Sequence, residues 1–195
     1  PPAGSAPGST LAGVGLALQG DSPCWLVFNI GDSRTYRLAR GVLEQVSVDH
    51  SEVQELVESG SIDKEQARTH AQRSVITRAL GAGLQGDPVV DQWLLLAATG
   101  DRLLVCSDGL CGLVTDAQIA PLAANPDREV AVASLVDLAH AAGGYDNITI
   151  ILTDVVDGEP TDGVQVLGSA RTQEVPSLAE PTTRIPLLQI GRAHV

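Results

Sequence analysis

An α+β layered domain is the fold class that the sequence predicts, and three observations predict it. Apolar runs of five to nine residues are joined by tight turns, blocks of such runs alternate with blocks of helical periodicity, and 44% of the 195 residues are apolar. Thr10 to Leu18 reads as a strand, turned by Gly20-Asp21-Ser22-Pro23 into a second strand from Cys24 to Ile30. Gly31-Asp32-Ser33-Arg34 interrupts the run. Thr35 to Leu38 and Val42 to Val48 then form a hairpin around Arg40-Gly41, and such short connections favour antiparallel pairing. Asp49 with Glu52 fits a capping box ahead of a helix bearing Val53, Leu56 and Val57, which Gly60 stops. Asp63 with Gln66 caps a second short helix through Ala67. Strands return at Gln92 to Ala97 and Arg102 to Ser107, joined by Gly100-Asp101. Thr115 with Gln118 opens a further helix, and Asp127 to Ala142 a longer one with Val130, Leu135 and Leu138 inward. Gly143-Gly144 ends it before a buried strand, Asn147 to Thr153.

Both ends differ from this dense middle. Residues 1–9 are Pro, Gly, Ala and Ser and read as linker. Residues 157–195, with four of the 11 prolines between Pro160 and Pro186, read as a Pro-rich flexible tail. The dense domain is expected over 10–156. No apolar run reaches transmembrane length and no secretory leader is present in these residues. The three cysteines, an odd and low number, suit a reducing compartment and predict a cytoplasmic location. The formal net charge of -12 argues against a nucleic-acid or anionic-membrane partner. Residues 1–158 hold 20 acids and 9 bases, so the excess belongs to the dense domain.

Three aspartates share one placement. Asp32 and Asp108 follow apolar strands, Asp146 precedes one, and each lies beside glycine, which lets backbone approach closely. If those strands are neighbours, the carboxylates meet at one sheet edge, where they repel one another or bind a hard divalent ion. His50, His70, His140 and His194 are scattered singly, which disfavours structural zinc. Mg²⁺ or Mn²⁺ fits better, and phosphate ester hydrolysis is the chemistry such ions favour. The competing reading is that each aspartate only caps a turn or helix.

The local sequences decide between these. Asn29-Ile30-Gly31-Asp32-Ser33-Arg34-Thr35-Tyr36, Asp49-His50-Ser51, Thr77-Arg78-Ala79-Leu80-Gly81, Ser107-Asp108-Gly109-Leu110 and Asp146-Asn147-Ile148-Thr149 occur in that order. Together they resemble the signature elements of the metal-dependent protein phosphatase 2C (PPM) family, bacterial members above all. The resemblance implies an α-β-β-α sandwich of two mostly antiparallel sheets flanked by helices. It implies two Mg²⁺ or Mn²⁺ ions held with Asp108 and Asp146, with Asp32 at the position that helps hold a third. It also implies a substrate flap over residues 49–81 containing His50, Thr77 and Arg78. Phosphoserine and phosphothreonine proteins, among them a cognate Ser/Thr kinase and its substrates, are the implied partners. The family's early Arg, its E-D pair and its D-G-x-G-G-H loop do not occur in these residues. A larger C-terminal part of a phosphatase, inactive alone, is therefore expected, with a non-catalytic phosphoprotein- or subunit-binding module as the alternative. The last six residues, Ile190-Gly191-Arg192-Ala193-His194-Val195, match the translation of ATC GGA AGA GCA CAC GTC from a sequencing adapter, and are expected to be artefactual. Cys106 and Cys111 flank Asp108 but read as buried packing. Arg34 and Arg37 are expected to pair with acids at the surface, and Trp25 and Trp93 to lie in the core or on a sheet face.

Overall fold

The computed structural model describes residues 7–81 and 88–156, together with the backbone of 166–169 and 188–194. In chain order the elements are β1 (Gly8–Ser9), β2 (Leu11–Gln19), β3 (Ser22–Ile30), β4 (Arg34–Ala39), β5 (Val42–Gln45), α1 (Glu52–Glu58), α2 (Lys64–Thr69), β6 (Leu80–Gly81), β7 (Asp91–Leu96), β8 (Arg102–Cys106), α3 (Asp108–Cys111), α4 (Asp116–Ala123), α5 (Arg128–Ala141), β9 (Thr149–Val155), β10 (Val166–Ser169) and β11 (Leu188–His194). One sheet has the order β10-β7-β3-β2, the other β11-β9-β8-β4-β5, and β1 pairs with β6. Every pairing is antiparallel. The fold is thus α+β, with antiparallel sheets and flanking helices.

The two sheets face each other across one apolar layer. Trp25, Val27, Trp93 and Leu95 from the four-stranded sheet meet Leu103 and Val155 from the five-stranded one, as twisted sheets do when both present apolar inner faces. The opposite face of the five-stranded sheet carries Tyr36, Leu104, Ile150 and Leu152. It packs against Leu110, Ile119, Leu135 and Ala139 of α3, α4 and α5. Among the described residues the helices that pack on a sheet all pack on this one.

Local sequence explains most of the turns and caps. The β4–β5 hairpin turns at Arg40 (φ 51) and Gly41 (φ 79), the left-handed pair of a two-residue hairpin loop. Asp63 with Gln66 and Thr115 with Gln118 form capping boxes, and Asp127 caps α5. Three expectations need correction. The cap of α1 is Ser51, whose side chain accepts from the Gln54 N–H; Asp49 instead takes a bidentate hydrogen bond from Arg34. Val130 is exposed, because α5 buries the stripe Ala131, Val132, Leu135, Val136 and Ala139, whose small members let the helix sit close to the sheet. Arg37 is buried rather than superficial, and donates two hydrogen bonds to the equally buried Asp101. Two strands, β10 and β11, lie within the segment read as tail. An open ladder edge accepts an extended segment through main-chain bonds, whatever its side chains; β11 occupies that place beside β9 from Leu188↔Val155 to His194↔Thr149.

A partly buried ionic knot ties the helices to the far end of this sheet. Arg102 of β8 donates to both carboxylate oxygens of Asp154 on β9, and to the carbonyls of Ala123 and Asn125 at the end of α4. Arg128 of α5 reaches the same carboxylate. Burial pushes Asp154 up, but the hydrogen bonds from Arg102 and Arg128 outweigh it and hold the carboxyl below its usual value. A depressed native pKa contributes stability above the unfolded-state pKa and loses it as pH falls through the native one. The urea midpoint is therefore expected to drop as pH falls below about 4, and the gap between wild type and Asp154→Asn to close over the same range. A gap that is constant from pH 7 to pH 2.5 would contradict this.

Candidate metal centre

Strand register places the three aspartates. Arg34 of β4 pairs with Cys106 of β8, and Cys106 pairs with Ile150 of β9. The start of β4, the end of β8 and the start of β9 are therefore side by side. Asp32 lies two residues before Arg34, Asp108 two after Cys106, and Asp146 four before Ile150, so all three belong to one edge of the five-stranded sheet.

Close backbone contacts hold each loop in place. A Cβ on Gly109 would lie 2.3 Å from the Asn147 carbonyl oxygen, a distance backbone cannot yield without moving. Only glycine lets α3 approach the Asn147 segment so closely. Ser107 staples the same junction: its Oγ donates to the Asn147 carbonyl and accepts from the Thr149 N–H at 3.0 Å. Gly109→Ala is expected to destabilise the chain by about 2–3 kcal/mol, seen as a lower urea midpoint. An unchanged midpoint would show that the Asn147 loop gives way freely.

The Asp32 loop is locked from below. Gly31 has φ +109, and a Cβ there would strike the Thr10 side chain. Asn29, fully buried, donates to the Gly31 carbonyl at 3.0 Å. His50 closes the arrangement: its N–H donates to the Gly31 carbonyl, and its Nδ1 accepts from the Gly31 N–H at 3.1 Å. Its Nε2 lies 3.0 Å from Asp91 and 3.3 Å from the Arg78 guanidinium. Arg78 also reaches Asp91, at 3.2 Å, and the Thr77 N–H donates to the His50 carbonyl. His50, Thr77 and Arg78 thus converge at the base of the excursion between Ser51 and Ile76, which are joined by a β-bridge; it lies within residues 49–81, where a flap is expected. Asp91 was not singled out from the sequence, since an acid opening a strand carries no pattern of its own.

The electrostatics are those of crowded carboxylates. Burial, then the neighbouring charge of Asp108, pushes Asp32 up to about 6. Burial and then Asp146 likewise raise Asp108. A hard divalent cation relieves such repulsion, and carboxylate oxygens are the donors it takes. The donor chemistry therefore fits Mg²⁺ or Mn²⁺. The set is open, however: among the described residues no three His, Cys, Asp or Glu side chains gather closely enough to enclose an ion. Beneath the edge, Arg34 is gripped by Asp49, and the Tyr36 hydroxyl donates to Asp116 at 3.0 Å. Burial keeps the Tyr36 phenol protonated. Cys106 and Cys111 are buried free thiols, and the hydrogen bond with Cys106, then burial, keep Cys111 protonated as well. A cavity of about 530 Å³ opens between this edge and the Ser51–Ile76 excursion, bordered by Asp32 and Asp108 on one side and by α1 and α2 on the other.

No family model matches the chain. Among curated proteins it is 39% identical over 155 residues to the serine/threonine protein phosphatase PstP of Mycobacterium tuberculosis, covering 80% of this chain and 30% of that protein. It is 37% identical over 130 residues to the serine/threonine phosphatase stp of Listeria innocua, covering 66% of this chain and 51% of that protein. The chain thus spans about a third of the length of the first of these relatives and about half that of the second. Among solved structures it is similar to the PPM Ser-Thr phosphatase MsPP of Mycobacterium smegmatis in complex with cacodylate. That match has a TM-score of 0.64 at 43% identity, covering 74% of this chain and 61% of that one. It is equally similar, at 37% identity and 77% and 60% coverage, to the catalytic domain of PstP in complex with two manganese ions.

Proposed function

The chain belongs to the PPM family of metal-dependent Ser/Thr protein phosphatases, and from that membership we propose that the protein hydrolyses phosphoserine and phosphothreonine esters on proteins with Mg²⁺ or Mn²⁺. The observation that carries the proposal is the Arg34–Cys106–Ile150 register, which aligns Asp32, Asp108 and Asp146 at one edge beside an open cavity. Asp108 and Asp146 are the donors for two ions and Asp32 for a third. When bound, such ions acidify a water and neutralise phosphoryl oxygens.

The chain's own residues do the rest. Gly109 and Ser107 hold the Asp108 and Asp146 loops together, and the Asn29–Gly31–His50 clasp presents Asp32. The flap, rooted at His50, Thr77 and Arg78, walls the cavity that receives the phosphorylated segment. Cytoplasmic phosphoproteins, a cognate kinase and its substrates among them, are the proposed partners.

The test is Mn²⁺-dependent hydrolysis of an aryl phosphate by the intact protein, abolished by a chelator and restored by Mn²⁺. Turnover that survives chelation, or none with either metal, would sink the proposal. The 195 residues alone, with their open donor set, are expected to bind Mn²⁺ weakly and to show no turnover.

A further inference from the structure

The basic residues of this acidic chain are distributed unevenly between paired and unpaired states. Arg34 is bound to Asp49, Arg37 to Asp101, Arg78 to Asp91, and Arg102 and Arg128 to Asp154. Lys64, Arg68 and Arg73 have no carboxylate partner among the described residues, and all three border the cavity between flap and aspartate edge. Glu65 is the one acid among the flap residues that line it; of the others, Asp49 is engaged by Arg34 and Asp116 by Tyr36. The cavity is therefore two-sided. Asp32 and Asp108 stand at one wall, where a divalent ion and a phosphoryl group belong, and unneutralised cations stand at the other.

Unpaired cations facing one cavity are held apart from the acids that outnumber them across the surface, and they attract a carboxylate brought into that space. A nucleic acid is disfavoured, because the net charge of -12 repels a long polyanion. A short acidic stretch beside the phosphorylated residue is small enough to enter a cavity of about 530 Å³. We propose that Lys64, Arg68 and Arg73 select phosphoprotein segments carrying Asp or Glu next to the phosphorylated residue. This rests on the phosphatase reading above and adds its sequence preference.

The test uses the intact protein with Mn²⁺ and three phosphothreonine peptides, flanked by glutamates, glutamines or lysines, with an aryl phosphate alongside. The glutamate-flanked peptide is expected to exceed the glutamine-flanked one about tenfold in kcat/KM, three exposed ion pairs each contributing a small factor. The advantage should shrink as salt rises to 0.5 M. In the triple variant Lys64→Glu, Arg68→Glu, Arg73→Glu, the preference should pass to the lysine-flanked peptide. The ratio is read within each variant, so a partial loss of folded protein cancels. Anisotropy with the same labelled peptides gives the affinity ratio without turnover. Equal values for glutamate and glutamine flanks in both assays, or a preference unchanged in the triple variant, would overturn the inference. Absence of aryl phosphate turnover would instead overturn the phosphatase reading, and the affinity ratio would still decide the preference.

Discussion

If the proposed activity holds, Asp108→Asn in the intact protein is expected to lower Mn²⁺-dependent aryl phosphate turnover by on the order of 10³-fold, with Asp146→Asn close behind. Neither variant should unfold the chain. Asp108 is exposed and sits at the mouth of the α3 turn, and its charge is opposed by Asp146 and by Asp32. Asparagine keeps the shape and removes that repulsion, so the thermal midpoint of the metal-free variant should equal or exceed that of wild type. The expected signature is lost activity, weakened Mn²⁺ binding by calorimetry and unimpaired folding. Full activity in either variant would refute the assignment of the aspartate edge. A large fall in metal-free stability would show instead that these carboxylates are structural caps.

Arg102→Met should have the opposite signature, a loss of stability by about 3 kcal/mol or more. The guanidinium satisfies Asp154 and two carbonyls at once, so its loss strands buried acceptors rather than a single pair. Arg128 remains on Asp154 and limits the damage. α4 has no basic residue in its last turn. Arg102, arriving from β8, supplies the positive charge that the exposed carbonyls of a helix C-terminus favour. Lysine cannot span these acceptors, so Arg102→Lys should recover little of the loss. Urea unfolding of both variants at pH 7 measures this, and a loss below about 1 kcal/mol would mean the knot is nearly neutral in net effect.

These two residues also mark what sequence reveals and what it hides. The placement of Asp108 at the sheet edge was legible because strand, glycine and carboxylate stand within a few positions of one another. The same holds for the caps at Asp63, Thr115 and Asp127 and for the Arg40-Gly41 turn, each of which depends on groups no more than three residues apart. Asp49 was misread for a complementary reason. Its local pattern fits a cap, but a guanidinium fifteen residues upstream competes for the carboxylate and offers two charge-assisted bonds against one. The Arg102 knot joins positions 52 residues apart on different strands, and no local rule encodes such a distance. The stripe of α5 was half-read because its buried face uses alanines, which hydrophobic spacing weights lightly. The two-sided charge of the cavity exists only once the ion pairs elsewhere are known.

The bridge between Ser51 and Ile76 has a consequence for how such a protein can diverge. The Glu52 N–H donates to the Val75 carbonyl and the Thr77 N–H to the His50 carbonyl, so the excursion leaves and re-enters the body through one narrow gate. Inserting or deleting residues inside it changes only the closure entropy of a surface loop, which grows slowly with length. A one-residue indel within β8 would instead turn every side chain of that strand to the opposite face and carry Asp108 out of line. The excursion is a cassette: a whole one could be exchanged between relatives at residues 51 and 76 while the aspartate edge is inherited unchanged.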